Sequence, residues 1–264
     1  MATTPNAAIS PRLQHDRQRE IYMLALRHGS VEVADLARRF AVTTETIRRD
    51  LSDMQERRMV RRVHGGAVPI EHATHEPMVE ARDMVSAGEK LRIATAAVAE
   101  VPQRGSIIID SGSTGQRLAE VLPVDRDVHV VTNSLVSALT LARRGQKELT
   151  VLGGAVRTNT YAMVDVTART TLDTMVVDVL FISCDGLSFR RGLTTPYREE
   201  QATKRAMIER ARRIVAIVDQ SKFGNGQMYS YAALDEIDVL LTDTRADDDS
   251  VDILTGHGID VRRV

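Results

Sequence analysis

The chain has 264 residues, of which 43% are apolar and 27% charged, with a formal net charge of −1. That length provides one large domain or two smaller ones with ample core, and the composition excludes a disordered or fibrous chain. A lone cysteine, Cys184, excludes an intramolecular disulfide and fits a reducing compartment.

The charge is unevenly spread. Residues 1–68 hold twelve Arg, no Lys and eight acidic residues, a net of +4, and the remainder carries −5. A small basic head on an acidic body suits a polyanion partner for the head alone. Within that head, "RQREIYMLALRH" (17–28) predicts a helix, with Ile21, Leu24 and Ala25 at helical spacing and Gly29 as its C-cap. "EVADLARRF" (32–40) repeats the pattern with Val33, Leu36, Ala37 and Phe40. After the short turn "AVT", Thr43 is the expected N-cap of a third helix, with Glu45 in its first turn. Ile47, Leu51 and Met54 form the inward stripe of that helix, leaving Thr44, Thr46, Arg48 and Arg49 off it. This is a helix-turn-helix whose last helix presents hydroxyls and arginines by its N-terminal end.

"MVRRVHGGAVPI" follows and reads as a hairpin of Val60–Val63 and Ala67–Ile70 around Gly-Gly, a basic wing. The candidate contacts to double-stranded operator DNA are therefore Thr43, Thr44, Thr46, Arg48, Arg49, Arg61, Arg62 and His64. Thr44, Thr46 and Arg48 are assigned to base edges, and Arg49 is expected to be shared between phosphate and Asp53. The competing reading is a solvated helix face on which Asp50 and Asp53 pair locally with Arg49 or Arg57. Three helices followed by a basic wing favour the DNA reading.

Residues 69–90 read as a linker, marked by Pro69 and Pro77, that runs into one long connecting helix with Ile93, Ala97 and Val98 inward. Beyond Gly105, the strand-like runs "SIIID", "VHVVTN", "ELTVLGG", "VVDVLFISCDG" and "RRIVAIVD" alternate with helical stretches such as "SLVSALTLARR" and "EEQATKRAMIERARR". That alternation predicts an α/β fold, a Rossmann-like and mostly parallel sheet, in which ligands bind outside the carboxyl ends of the strands. Asp110, Ser111, Gly112, Ser113 and Thr114 end the first strand and open a helix, where amides and hydroxyls suit a phosphate. Thr132, Asn133 and Ser134 end the second strand, with the Asn133 amide placed to read a sugar hydroxyl. Gly153 and Gly154 end the third, where missing side chains are expected to admit a ligand. Asp185 and Gly186, then Asp219, Ser221 and Lys222, end two more. Lys204 lies one turn beyond Glu200, either as a surface i, i+4 pair or, with Lys222, as a phosphate-neutralising cation.

The stretch "LARRFAVTTETIRRDLSDMQERRMVRRVHGGAV" resembles the DeoR family of bacterial transcription regulators, most specifically in "TIRRDL" and "R-V-H-G-G-A". "DSGST", "VVTNS", "LGG", "KRAMIERA" and "DQSKFG" extend the resemblance over roughly residues 13–245. Two departures are the "DSGSTG" loop, where the family more often has a further Thr, and Asp165, where it commonly has glycine. The resemblance implies a winged helix-turn-helix DNA-binding domain over 13–68 and a linker with connecting helix over 69–90. It further implies a sugar-phosphate sensor over 91–264, similar in fold to ribose-5-phosphate isomerase. The implied function is a repressor of carbohydrate-metabolism genes, modulated by a small phosphorylated sugar or polyol and assembled as a homo-oligomer, dimer or tetramer. The alternative is an isomerase-like enzyme carrying a DNA-binding head. Its acidic loop would need two Asp three residues apart, and here Asp185 is followed three on by Ser188. No catalytic residue, cofactor or metal is therefore expected. The apolar core of a secretory signal is missing from "MATTPNAAISPRLQHD", and "VVDVLFIS" is too short to span a bilayer, so a cytoplasmic location without membrane contact is expected.

Overall fold

The computed structural model describes residues 11–57, 59–70 and 79–264. The chain divides into two compact units, residues 1–85 and 86–264. The first contains α1 (Pro11–His28), β1 (Val31–Glu32), α2 (Val33–Arg39), α3 (Thr44–Glu56), β2 (Val60–Val63), β3 (Gly66–Pro69) and α4 (Val79–Met84). Its core gathers Ile21, Tyr22 and Ala25 from α1, Leu36 and Ala37 from α2, Ile47, Leu51 and Met54 from α3, and Val60 and Ala67 from the wing. The inward stripe expected of α3 is fully buried. Between α2 and α3 the chain turns through Ala41 at φ 52, with Val42 N–H returning to the Ala37 carbonyl.

Two features of this unit depart from the sequence reading. Glu32 leaves the second predicted helix and, with Val31, pairs antiparallel with β3, giving a three-stranded sheet in the order β1-β3-β2. The wing turns at His64-Gly65 rather than at Gly-Gly, because Gly66 already pairs with Val63. A side chain at Gly66 would meet the Val31 carbonyl at 2.0 Å, so the third strand explains that glycine.

The single connecting helix is also corrected. It is two helices, α4 and α5 (Ala87–Ala97), separated by Val85 and Ser86, the latter in the left-handed region at φ 55. Met84 completes the core of the first unit, whereas Ile93, Ala94 and Ala97 of α5 belong to the second. Pro77 and the rest of 71–78 lie outside the described residues.

The second unit continues with β4 (Arg104–Ile109), α6 (Ser113–Val121), β5 (Asp127–Thr132), α7 (Leu135–Arg143), β6 (Leu149–Val151), β7 (Ala155–Arg157), β8 (Ala162–Val164) and α8 (Val166–Leu172). After these come β9 (Val177–Ile182), β10 (Gly186–Ser188), β11 (Gly192–Thr195), α9 (Arg198–Glu209) and β12 (Ala211–Ile217). The chain ends with β13 (Tyr229–Ala232), β14 (Val239–Thr242), α10 (Asp248–Gly256) and β15 (Asp260–Arg263). Seven parallel strands form one sheet in the order β15-β14-β12-β9-β4-β5-β6.

Strand side chains alternate between the two faces, as period-two geometry requires. Ile107 and Ile109 pack with α5, α6 and α7, while Ile108 packs with α8, α9 and α10. The expected mostly parallel α/β sheet is therefore present. The chain builds outward from β4 to β5 and β6, then returns to lay β9 on the other side of β4. That reversal falls between β4 and β9, and in such sheets the carboxyl ends at the reversal flank the crevice where ligands bind. The hairpin β7–β8 and the small sheet β10-β11-β13 are inserted after β6, β9 and β12. No helix among the described residues is long and apolar enough to cross a membrane.

Candidate functional site

In the head, Thr43 accepts a hydrogen bond from the Thr46 amide at 3.1 Å and so caps α3 as expected. The Thr43 and Thr46 hydroxyls lie 2.9 Å apart. Thr44, Arg48 and Arg49 are exposed at the same end, and Arg48 approaches Glu45 at 3.6 Å. Exposed pairs of that kind contribute roughly 0–1 kcal/mol and leave the guanidinium available.

The expected pairing of Arg49 with Asp53 is not formed. Asp50 and Asp53 face α1 instead. Asp50, 1% exposed, receives Arg17 through Nε at 2.6 Å and Nη2 at 3.1 Å, while Asp53 accepts from Gln14 at 2.9 Å. Both acids thus hold α3 to α1. On the wing, Arg61, Arg62 and His64 are exposed. Arg62, however, turns back onto α3, donating to Ser52 Oγ at 2.8 Å while its amide donates to Gln55 Oε1 at 2.9 Å.

In the second unit, the crevice between β4 and β9 is bridged by polar groups. Ser183, just past β9, donates from its amide and hydroxyl to Asp110 Oδ2 at 3.2 and 3.3 Å. Lys204 reaches the same carboxylate oxygen from α9 and also donates to the Ser183 carbonyl at 3.1 Å. The Tyr231 hydroxyl donates to that carbonyl at 2.7 Å, with its ring 5.4 Å from the Lys204 ammonium. Burial works against the Lys204 charge, but Asp110 and Glu200 beside it outweigh this and hold its pKa above the ordinary value. Burial likewise pushes the neighbouring Cys184 thiol up to about 12, so it stays protonated at neutral pH.

Asn133 joins the second strand to this centre. Its Oδ1 accepts from the Ser111 amide at 2.8 Å, and its amide donates to the Met163 carbonyl at 3.3 Å. Thr132 donates to the Ile109 carbonyl at 2.7 Å, and Ser134 caps α7. Ser113 and Thr114 are buried in the first turn of α6. Asp219 caps the short 3-10 turn of Gln220–Lys222, and Lys222 is half-buried with its charge felt at Cys184. Asp185 is half-buried, and its charge acts on both Lys204 and Tyr231.

Two expectations change. Lys204 and Glu200 are not a surface pair: both residues are buried, and Lys204 bonds to Asp110. Glu200 instead takes Arg157 at 2.5 Å and Thr195 Oγ1 at 3.2 Å, and Arg157 stacks 3.8 Å above the Tyr197 ring. The glycines serve internal packing more than ligand access. A side chain at Gly154 would meet the Val164 carbonyl at 2.4 Å, and one at Gly186 the Asn225 carbonyl at 1.6 Å. One at Gly153 would press on the Thr167 methyl, and one at Gly112 on Ser183 Oγ.

Ser183, Tyr231, Arg157 and Thr195 escaped the sequence reading. Ser183 and Cys184 sat inside a strand-like run, and the others lie on short inserted strands with no helical or alternating signal. Asp165, the departure from the family pattern, occupies φ 102, ψ −170, a region that is essentially glycine's. It holds that conformation by accepting from the Ala155 amide at 2.9 Å and the Thr167 amide at 2.7 Å, bonds that also lower its pKa.

Comparison with known proteins agrees with this division. Residues 17–73 match the DeoR-like helix-turn-helix domain, and residues 85–244 match the DeoR C terminal sensor domain. The chain is 32% identical to the HTH-type transcriptional regulator GlpR of Haloferax volcanii, over 94% of this chain and 97% of that one. It is 28% identical to the glycerol-3-phosphate regulon repressor of Escherichia coli, over 93% and 97%. With the HTH-type transcriptional regulator IolR of Bacillus subtilis it shares 27% identity over 95% and 98%. Among solved structures, ribose 5-phosphate isomerase A of Methanocaldococcus jannaschii aligns with 52% of this chain and 55% of its own, at 20% identity and a TM-score of 0.39. With a DeoR-like helix-turn-helix head and a DeoR sensor following it, the chain belongs to the DeoR family of DNA-binding transcriptional regulators.

Proposed function

We propose that the chain represses carbohydrate-metabolism genes and that a small phosphorylated sugar or polyol, bound in the β4–β9 crevice, sets its hold on operator DNA. Thr44, Thr46 and Arg48 read base edges, Arg49 and Arg61 meet phosphates, and Arg62 positions the wing. DNA recognition resides within 13–68 and effector recognition within 91–264, joined by 69–90. In the crevice, Ser111, Ser113, Thr114 and Lys222 receive the phosphate, while Asn133, Asp185 and Asp219 read hydroxyls.

The observation that carries the reading is the state of Asp110. A catalytic base for isomerisation needs a carboxylate free to take a proton from carbon. Asp110 is instead committed to Lys204 and Ser183 at the centre of the crevice, which supports binding without turnover. The names of relatives that regulate glycerol-3-phosphate genes support the ligand class. A homo-oligomer is part of the same proposal, supported by the exposed Leu135 and Leu139 on α7 beside the edge strand β6. So is a cytoplasmic location, where the DNA partner resides.

The experiment is a thermal-shift screen of phosphorylated sugars and polyols, followed by DNA binding with each hit. Mass action predicts about 2.7 kcal/mol of stabilisation at a hundredfold excess over Kd. Failure of every phosphorylated compound to raise the melting temperature, or sustained turnover of one of them, would overturn the proposal.

A further inference from the structure

The loop after β12 and the residue that begins the second unit are joined by a continuous set of hydrogen bonds. Asp219 caps the turn of Gln220–Lys222 by accepting from Ser221, both amide and hydroxyl. The Gln220 amide of that turn donates at 2.8 Å to Oδ2 of Asp243, which is wholly buried at the end of β14. Oδ1 of the same carboxylate accepts from Arg245 Nε at 2.7 Å. Arg245 then donates from Nη2 to Ser86 Oγ at 3.1 Å and lies 3.8 Å from Glu89.

Ser86 is the first residue of the second unit and the N-cap of α5. Its hydroxyl makes no capping bond to that helix, although capping is the usual work of serine there. Its backbone is left-handed at φ 55, a conformation unfavourable for a non-glycine residue. Something beyond local preference must hold it, and the contact at hand is Arg245. Burial works against the Asp243 charge, but its bonds to Arg245 and Gln220 hold the carboxyl below its usual pKa, so the centre of the chain stays ionised.

We propose that Asp243 and Arg245 are positioning residues that convey occupancy of the 219–222 loop to Ser86, and so to the point where the chain passes into the DNA-binding unit. Neither touches DNA or effector. A ligand phosphate that draws Ser221 or Lys222 toward itself shifts the Gln220 amide, and Asp243 and Arg245 pass that shift to the Ser86 hydroxyl. The inference rests on the proposed effector reading for its ligand, but the bonded chain exists without one and is testable without one.

The test uses the full-length protein and two severing variants, Arg245→Ala and Ser86→Ala. The second leaves no buried charge exposed by truncation and stands in should the first fold poorly. Operator affinity is measured with and without glycerol 3-phosphate and ribose 5-phosphate, and ligand affinity by calorimetry. Coupling of the usual size changes operator affinity about 5- to 150-fold in the parent protein. In both variants the ratio should fall below about twofold, while each separate affinity stays within about threefold of the parent. A merely structural role would move the separate affinities and spare the ratio, and that result overturns the proposal.

Hydrogen exchange decides the matter if neither ligand binds. Asp219→Ala should raise exchange at the Lys90 amide, which donates to the Ser86 carbonyl, on the order of tenfold in the parent background. The same change should have no effect when Arg245→Ala is already present. Equal effects in the two backgrounds, or no effect in either, would contradict the relay. Absence of ligand binding alone contradicts only the effector reading.

Discussion

Buried charge separates structural from functional residues in the head. Arg17 and Asp50 are 8% and 1% exposed and form a bidentate pair between α1 and α3. Removing one partner of such a pair strands the other, at a cost of about 3–5 kcal/mol. Arg17→Ala should therefore lower the stability of the head by that amount in urea unfolding, whereas Arg48→Ala, at an exposed site, should change it by less than about 0.5 kcal/mol. Asp165 gives a second case at this scale. Its glycine-type backbone is strained, while its carboxylate caps α8. Asp165→Gly removes both, so the melting temperature should stay level or rise. A lower melting temperature would mean the two carboxylate bonds outweigh the strain.

At the scale of elements, the head was largely legible because its signals are local. Apolar residues at helical spacing placed α1, α2 and α3, and Thr43 starts α3 as an N-cap should. What escaped was pairing between distant segments. Two residues, Val31 and Glu32, form a strand only because β3 lies beside them, and no two-residue run carries a period. The same limit hid β7, β8, β10, β11 and β13, each three or four residues long, along with Tyr231 and Arg157 on them.

The wing shows how pairing redistributes roles among like residues. Arg61 and Arg62 read alike in sequence, yet successive strand residues face opposite ways and Arg62 is tied to Ser52. Arg61→Ala should weaken binding across DNA sequences and reduce the salt slope by about one. Arg62→Ala should instead release the wing from α3, lowering operator discrimination with a smaller change in slope. Filter or anisotropy titrations at several salt concentrations separate the two outcomes, and identical slopes for parent and Arg61→Ala would remove the phosphate contact.

For the whole molecule, the sheet topology mattered more than any single motif. Strand ends containing Asp110, Asn133, Asp185 and Asp219 were readable as candidates, because polar residues and glycine follow each apolar run. Their order in the sheet was not readable, and it is that order which puts Ser183 against Asp110 across the β4–β9 crevice. It also assigns the two lysines different work. Lys204 is matched internally, so Lys204→Met should destabilise the second unit by stranding Asp110, by about 3–5 kcal/mol. Lys222→Ala should leave the melting temperature near that of the parent and abolish the ligand-induced shift.

The central claim is that one chain reads DNA through the N-terminal end of α3 under the control of a ligand held in the second unit. It is tested most directly by titrating a selected operator with the full-length protein, with and without a phosphorylated ligand found by thermal shift. The account predicts that bound ligand changes operator affinity by at least about fivefold, and that Arg48→Ala abolishes operator binding without altering the ligand's thermal shift. An operator affinity that stays the same at saturating ligand would contradict it.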